Sequence, residues 1–122
     1  MNEIDPSLGN KWRDRRRIDA LVAAAGTLTA VEIKVSRSDF LRETDEKRAP
    51  WRALTHRFLY VAPTGIIRPE EVPSGCGLLE VPDKALYAVQ TIRPRLNKNP
   101  EPLPFAVVQR LMYKVRERGE EW

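Results

Sequence analysis

Arg17-Ile18-Asp19-Ala20-Leu21-Val22-Ala23-Ala24-Ala25-Gly26-Thr27-Leu28-Thr29-Ala30-Val31-Glu32-Ile33-Lys34-Val35 is the stretch whose reading decides the fold. Arg17 to Ala24 alternates and is apolar enough for a strand, Ala25-Gly26 suits a tight turn, and Thr27 to Val35 is rich in Thr and Val. The pattern predicts a β-hairpin. With the turn at Ala25-Gly26, Asp19 faces Glu32 and Arg17 faces Lys34. Ile18, Ala20 and Val22 then share one face with Ile33, Val31 and Thr29, an apolar face suited to packing on a helix. The other face collects Arg17, Asp19, Glu32 and Lys34 at one end. A slip of one residue would mix the two sets, so the pattern itself selects this pairing. Opposed residues have Cβ atoms about 5 Å apart, and Glu32 and Lys34, two apart on one strand, point the same way.

Two carboxylates at that separation repel unless a cation lies between them. Mg²⁺ or Mn²⁺ takes oxygen ligands and keeps several waters. Water on such an ion is acidified and can supply hydroxide for attack on phosphorus, and a lysine alongside can orient the water or stabilise charge building on the phosphate. Asp19, Glu32 and Lys34 are therefore candidate catalytic residues for phosphodiester hydrolysis. A cross-strand ladder of ion pairs on a solvated sheet face has the same charge pattern, and the pattern alone leaves both readings open.

Outward from the hairpin, Ser36-Arg37-Ser38-Asp39 has capping-box spacing with Asp in place of Glu, which predicts a helix from Ser36 to about Lys47. Pro50 suits the first turn of a second short helix ending near Thr55. Arg57 to Ala62 reads as a buried strand, and residues 63–76 as a loop with one helical turn at Pro69-Glu70-Glu71. Gly77 to Val81 is a strand, Pro82-Asp83-Lys84 a turn, and Ala85 to Ile92 another strand. Residues 93–104 are extended, and Pro104 to Glu117 carries apolar residues at helical spacing. The order β-β-α-α-β-β-β-α makes the chain α/β or α+β. At 122 residues it is expected to be one domain, with a basic arm over residues 1–14 and a terminal helix over 104–122. The single cysteine, Cys76, excludes an internal disulfide. There is no long apolar run to span a membrane, so a cytoplasmic location is expected.

The net charge of +4 favours anionic partners, and the cations cluster. Lys11, Arg13, Arg15, Arg16 and Arg17 lie just ahead of the hairpin site. Arg37, Arg42, Lys47, Arg48, Arg52 and Arg57 follow it, interleaved with Glu43, Asp45 and Glu46, and read equally well as solvated helix faces. Arg37, at a helix start, is a candidate phosphate contact. His56 before a strand reads as a surface or packing residue, and Tyr60 within an apolar run as core.

Arg17-Ile18-Asp19, then Val31-Glu32-Ile33-Lys34, then Ser36-x-x-Asp39-Phe40 resembles the PD-(D/E)XK nuclease superfamily. Within it the chain is similar to the small MmcB-type proteins linked to DNA repair, whose later segments correspond here to His56-Arg57-Phe58-Leu59-Tyr60-Val61-Ala62-Pro63 and Gly77-Leu78-Leu79-Glu80-Val81. The resemblance covers roughly residues 15–81. It implies a restriction-endonuclease-like mixed β-sheet flanked by helices. It also implies a Mg²⁺ or Mn²⁺ ion held by Asp19, Glu32 and the backbone carbonyl of Ile33, with Lys34 as the catalytic lysine. DNA is the implied partner, bound by Lys11, Arg13, Arg15, Arg16, Arg17 and Arg37, and a homodimer is a further option. Two departures are visible. Ile18 stands where the superfamily commonly has Pro. The additional Glu that many members carry on a long first helix has only Glu3 as a counterpart. The implied activity is a metal-dependent DNA nuclease in repair or processing. The alternatives are a nuclease-fold DNA-binding or scaffold protein with weak or no cleavage, and an accessory protein that uses the fold for protein contacts.

Overall fold

A computed structural model of the chain describes residues 17–109. Residues 18–100 form one compact unit that carries the whole sheet. A second unit joins residues 1–17 with 101–122; of it, Arg17 and residues 101–109 are described, and 105–109 are helical. The predicted basic arm, including Glu3, and the greater part of the predicted terminal helix lie outside the described residues.

Strands β1 (Ala20–Ala24) and β2 (Thr27–Ile33) form the predicted hairpin. Ala25 and Gly26 both have positive φ, 51° and 77°, as a two-residue turn needs if its twist is to match that of the flanking strands. Ala20 pairs with Val31 and Ala24 with Thr27, the register expected from the alternation. Helix α1 spans Arg37–Leu41, and helix α2 spans Asp45–Leu54. Strand β3 (Arg57–Pro63) then lies parallel to β2. A 3-10 turn at Pro69–Glu71 precedes β4 (Gly77–Val81), which is parallel to β3, and β5 (Val89–Ile92) returns antiparallel with a register shift at Leu78/Leu79. The result is a five-stranded mixed sheet in the order β1-β2-β3-β4-β5 with helices packed on it, a mixed α/β architecture as expected. No helix among the described residues is long and apolar enough to cross a membrane.

Four expectations are corrected. The helix predicted from Ser36 to Lys47 is two helices. Ser36 caps the first, its hydroxyl accepting from the Asp39 N–H. Thr44 caps the second by accepting from the Lys47 N–H, so a side-chain cap competes with a continuous helix at Thr44. Because α2 starts there, Pro50 lies inside it rather than in its first turn. The last strand begins at Val89, not Ala85; Lys84 has φ 59°, and Leu86 and Tyr87 are exposed.

The fourth correction concerns the faces. Parallel register places Ala30 beside Phe58, and Glu32 beside Tyr60 and Leu78. Ala30, Phe58, Tyr60, Ala62 and Leu78 form the buried face, together with Phe40 from α1 and Trp51 and Leu54 from α2. The rings of Phe40 and Tyr60 meet edge to face, with centroids 5.6 Å apart. The helices thus cover the face that carries Glu32 and Lys34. On the face expected to pack on a helix, Ile18, Ala20, Thr29 and Val31 are half-buried and Val22 and Ile33 are exposed. Phe58, Tyr60 and Leu78 of β3 and β4 lie on the Glu32 face, and burial of these large side chains under α1 and α2 draws that face into the core.

Candidate functional site

Continuing the β1–β2 register by one step sets Asp19 opposite Glu32. Asp19 Oδ2 accepts the Ile33 N–H at 2.7 Å, while the next amide, Lys34, donates to Val61 O of β3 at 2.9 Å. Backbone groups therefore alternate between neighbours, and Ile33 turns its N–H, and with it its C=O, toward the β1 side. Asp19 lies just before β1, so its side chain, not its backbone, meets the end of β2 next to Glu32. Burial pushes the Glu32 carboxyl up to about 7, and the charge of Asp19 adds to this. Lys34 opposes the rise and Glu43 reinforces it. Asp19 is also close enough to hydrogen-bond the Glu32 carboxyl.

Lys34 lies one residue past β2, on the face of Glu32, and is only 5% exposed. Its Nζ is 3.5 Å from Glu32 Oε2 and donates to Glu43 Oε1 at 3.0 Å. Burial disfavours its charge, but the hydrogen bond and charge of Glu43, aided by Glu32, outweigh that and hold the ammonium above its ordinary pKa. Glu43 is fixed from the other side, where its Oε2 accepts from the Tyr60 hydroxyl at 3.0 Å and lies 3.6 Å from Arg48 Nη1. Arg48 in turn donates to Tyr60 Oη at 2.9 Å and pairs with Asp45. Burial, then the charge of Glu43, raises the Tyr60 phenol far above its ordinary range, so it is a hydrogen-bonding group and not an acid–base one. A chain of charge and hydroxyl thus runs from Glu32 through Lys34, Glu43 and Tyr60 to Arg48.

Of the predicted site residues, the fold brings Asp19, Glu32, Ile33 and Lys34 together. Arg17 is exposed, and Lys34 draws its partners from Glu32 and Glu43 instead. Arg37 is engaged elsewhere. It grips Glu71 with both guanidinium nitrogens, at 2.9 and 2.6 Å, and donates to Ile66 O at 3.2 Å, tying α1 to the 3-10 turn. This pairing, with the Arg68 N–H, holds the Glu71 carboxyl down at about 2. Lys11, Arg13, Arg15 and Arg16 lie outside the described residues. Glu43, Tyr60 and Arg48 were missed as site residues. Glu43 and Arg48 sit in a run that alternates acids and bases like a solvated face, and Tyr60 sits in an apolar strand. The only local signal was the Thr44-x-x-Lys47 cap, which breaks the helix and turns Glu43 inward.

Among the described residues no three His, Cys, Asp or Glu side chains converge on a metal position. The available donors are the Asp19 and Glu32 carboxylates and the Ile33 carbonyl. Two carboxylates and a carbonyl suit Mg²⁺, which is bound by few protein oxygens. The mutual repulsion of Asp19 and Glu32 is what a cation between them would relieve, so the donor set fits.

No protein-family model matches the chain, and no curated protein matches it. Among solved structures it is similar to the SPO1766 protein of unknown function from Silicibacter pomeroyi, with TM-score 0.61 and 22% sequence identity over 91% of this chain and 70% of that one. At that identity the likeness concerns the fold alone.

Proposed function

We propose that the chain is a metal-dependent DNA nuclease of the PD-(D/E)XK type, with a restriction-endonuclease-like fold. The observation that carries the reading is the Asp19–Glu32 pair at the edge of the sheet, with the Ile33 backbone turned toward the same side. Asp19, Glu32 and the Ile33 carbonyl would hold Mg²⁺ or Mn²⁺, with Glu3 a further candidate ligand. Such an ion supplies an acidified water and a counter-charge for the phosphate. Lys34, held on the same face by Glu32 and Glu43, keeps its proton and offers a positive charge to a phosphate oxygen. Lys11, Arg13, Arg15, Arg16 and Arg17 would neutralise backbone phosphates, which makes binding fall steeply with salt. One observation favours the second reading, a nuclease-fold DNA-binding or scaffold protein: the Lys34 ammonium is buried and committed to Glu43 at 3.0 Å.

Supercoiled, branched and single-stranded DNA incubated with Mg²⁺ or Mn²⁺, beside Lys34→Ala, separates the two. Cleavage by the wild type that falls about a hundredfold in the variant supports the enzyme. Binding without cleavage in either metal supports the scaffold. Absence of DNA binding at low salt refutes both.

A further inference from the structure

At the opposite end of β2 and β3 from Glu32 and Lys34, a groove of about 310 Å³ opens between the end of α2, the start of β3 and residues 75 and 95–97. Its volume is in the range of small-ligand sites. Arg52, Arg57 and Arg95 line it with His56, and no acidic residue does. None of the three arginines has a carboxylate within ion-pair distance among the described residues.

The cations are held in place. Arg52 donates to Ser74 O at 2.7 Å and lies across Gly75, where a Cβ would stand 2.5 Å from its Nη2 and 3.8 Å from Arg95 Nη1. With φ +88°, residue 75 is a glycine for two reasons, its backbone conformation and the room it leaves for two guanidinium groups. Arg57 donates to Thr27 Oγ1 at 3.1 Å, one bond of the five that a guanidinium can make. His56 accepts the Leu28 N–H on its ring Nδ1 at 3.0 Å, and its backbone N–H donates to Leu28 O at 2.8 Å. Nδ1 is therefore the unprotonated nitrogen, and Nε2 carries the proton as a donor. Asn97 closes the end of α2 by donating to Arg52 O and Thr55 O, which takes up carbonyls that would repel an anion.

We propose that this groove is an anion site for a phosphate group, with Arg52, Arg57, Arg95 and the Nε2–H of His56 as its donors. Three guanidinium groups and no acid around one recess are mutually repulsive, and a phosphate oxyanion relieves the repulsion while accepting their hydrogen bonds. The phosphate comes either from a nucleic-acid backbone or from a free phosphate or nucleotide. The site does not depend on the nuclease reading. Leu28, to which His56 is locked, is four residues from Glu32, roughly 13 Å along the strand.

The full chain, isotopically labelled, is titrated by NMR with inorganic phosphate, a mononucleotide and a DNA oligonucleotide, beside Arg95→Gln and Arg57→Gln/Arg95→Gln. Arg95 is exposed and its side chain makes no hydrogen bond among the described residues, so its variant should fold. The expected result is a shift of the Gly75 amide and the His56 and arginine side-chain signals that saturates and weakens at least fivefold in the double variant. A nucleic-acid ligand is marked by tighter oligonucleotide binding whose salt slope falls by about 1 in Arg95→Gln. A free-phosphate ligand is marked by inorganic phosphate or the mononucleotide binding at least as tightly as the oligonucleotide. Unmoved groove signals with all three probes, or equal affinity in the double variant, overturns the proposal.

Discussion

Replacing Lys34 and Glu43 singly and together measures the interaction on which the site's architecture rests. The two charges are 3.0 Å apart, with side chains 6% and 5% exposed. At an effective dielectric of about 20, that separation corresponds to about 5 kcal/mol of attraction. Neither charge is abandoned when its partner goes, because Lys34 retains Glu32 at 3.5 Å and Glu43 retains Tyr60 and Arg48. That retention is expected to halve the measured coupling to about 2–3 kcal/mol. Lys34→Met and Glu43→Gln should each destabilise by about 2–3 kcal/mol, and the double variant by about the same rather than by the sum. Urea unfolding of the four proteins at neutral pH provides the cycle, with unchanged m-values as the control. A coupling below about 0.5 kcal/mol, or a Glu43→Gln variant more stable than the wild type, would refute the account of Glu43 as the group that holds the lysine.

Three further outcomes follow from the same geometry. Glu32 has its pKa raised to about 7 from an unfolded value near 4.5, so the folded state binds the extra proton and stability falls as pH rises between those values. Glu32→Gln should match the wild type near pH 4 and exceed it by about 3 kcal/mol at pH 8, and parallel pH–stability curves measured in chelator would contradict this. Tyr60→Phe keeps the ring packing on Phe40 and Phe58 but removes the hydroxyl between Glu43 and Arg48. It should cost about 1–3 kcal/mol in thermal or urea unfolding, and a neutral result would mean that the hydroxyl contributes nothing to the chain of charges. Ser36→Ala removes the cap of α1 and should cost about 1 kcal/mol, with Ser36→Asp recovering most of it; failure of aspartate to rescue would argue against capping as the cause.

Much of this was legible residue by residue. The Ala25-Gly26 turn between two apolar runs, with Arg17, Asp19, Glu32 and Lys34 at their far ends, specifies both the hairpin and its register, because a slip of one residue would part the charged set. The Ser36 cap and the strand at Gly77–Val81 are local signals, and the structure places them where expected. The Glu43 contact was not legible. Whether an acid in a run such as Arg42-Glu43-Thr44-Asp45-Glu46 faces water or core depends on where a helix breaks and how it lands on the sheet, and neither is encoded within the run. Tyr60 was legible as core, but its hydroxyl acquires a role only through Glu43 and Arg48, each more than ten residues away.

The sequence by itself determined the order of elements, the Asp19–Glu32 pairing and the side-by-side placement of Glu32 and Lys34. These follow from backbone geometry that each strand or turn satisfies on its own. The tertiary structure alone decided which face of the hairpin lies under α1 and α2. Parallel pairing sets Glu32 beside Tyr60 and Leu78, and α1 and α2 close over that side. That choice converts an ordinary row of strand charges into a partly desolvated cluster, where a carboxylate near a like charge resists ionisation and a lysine must be held by an acid that arrives from elsewhere in the chain.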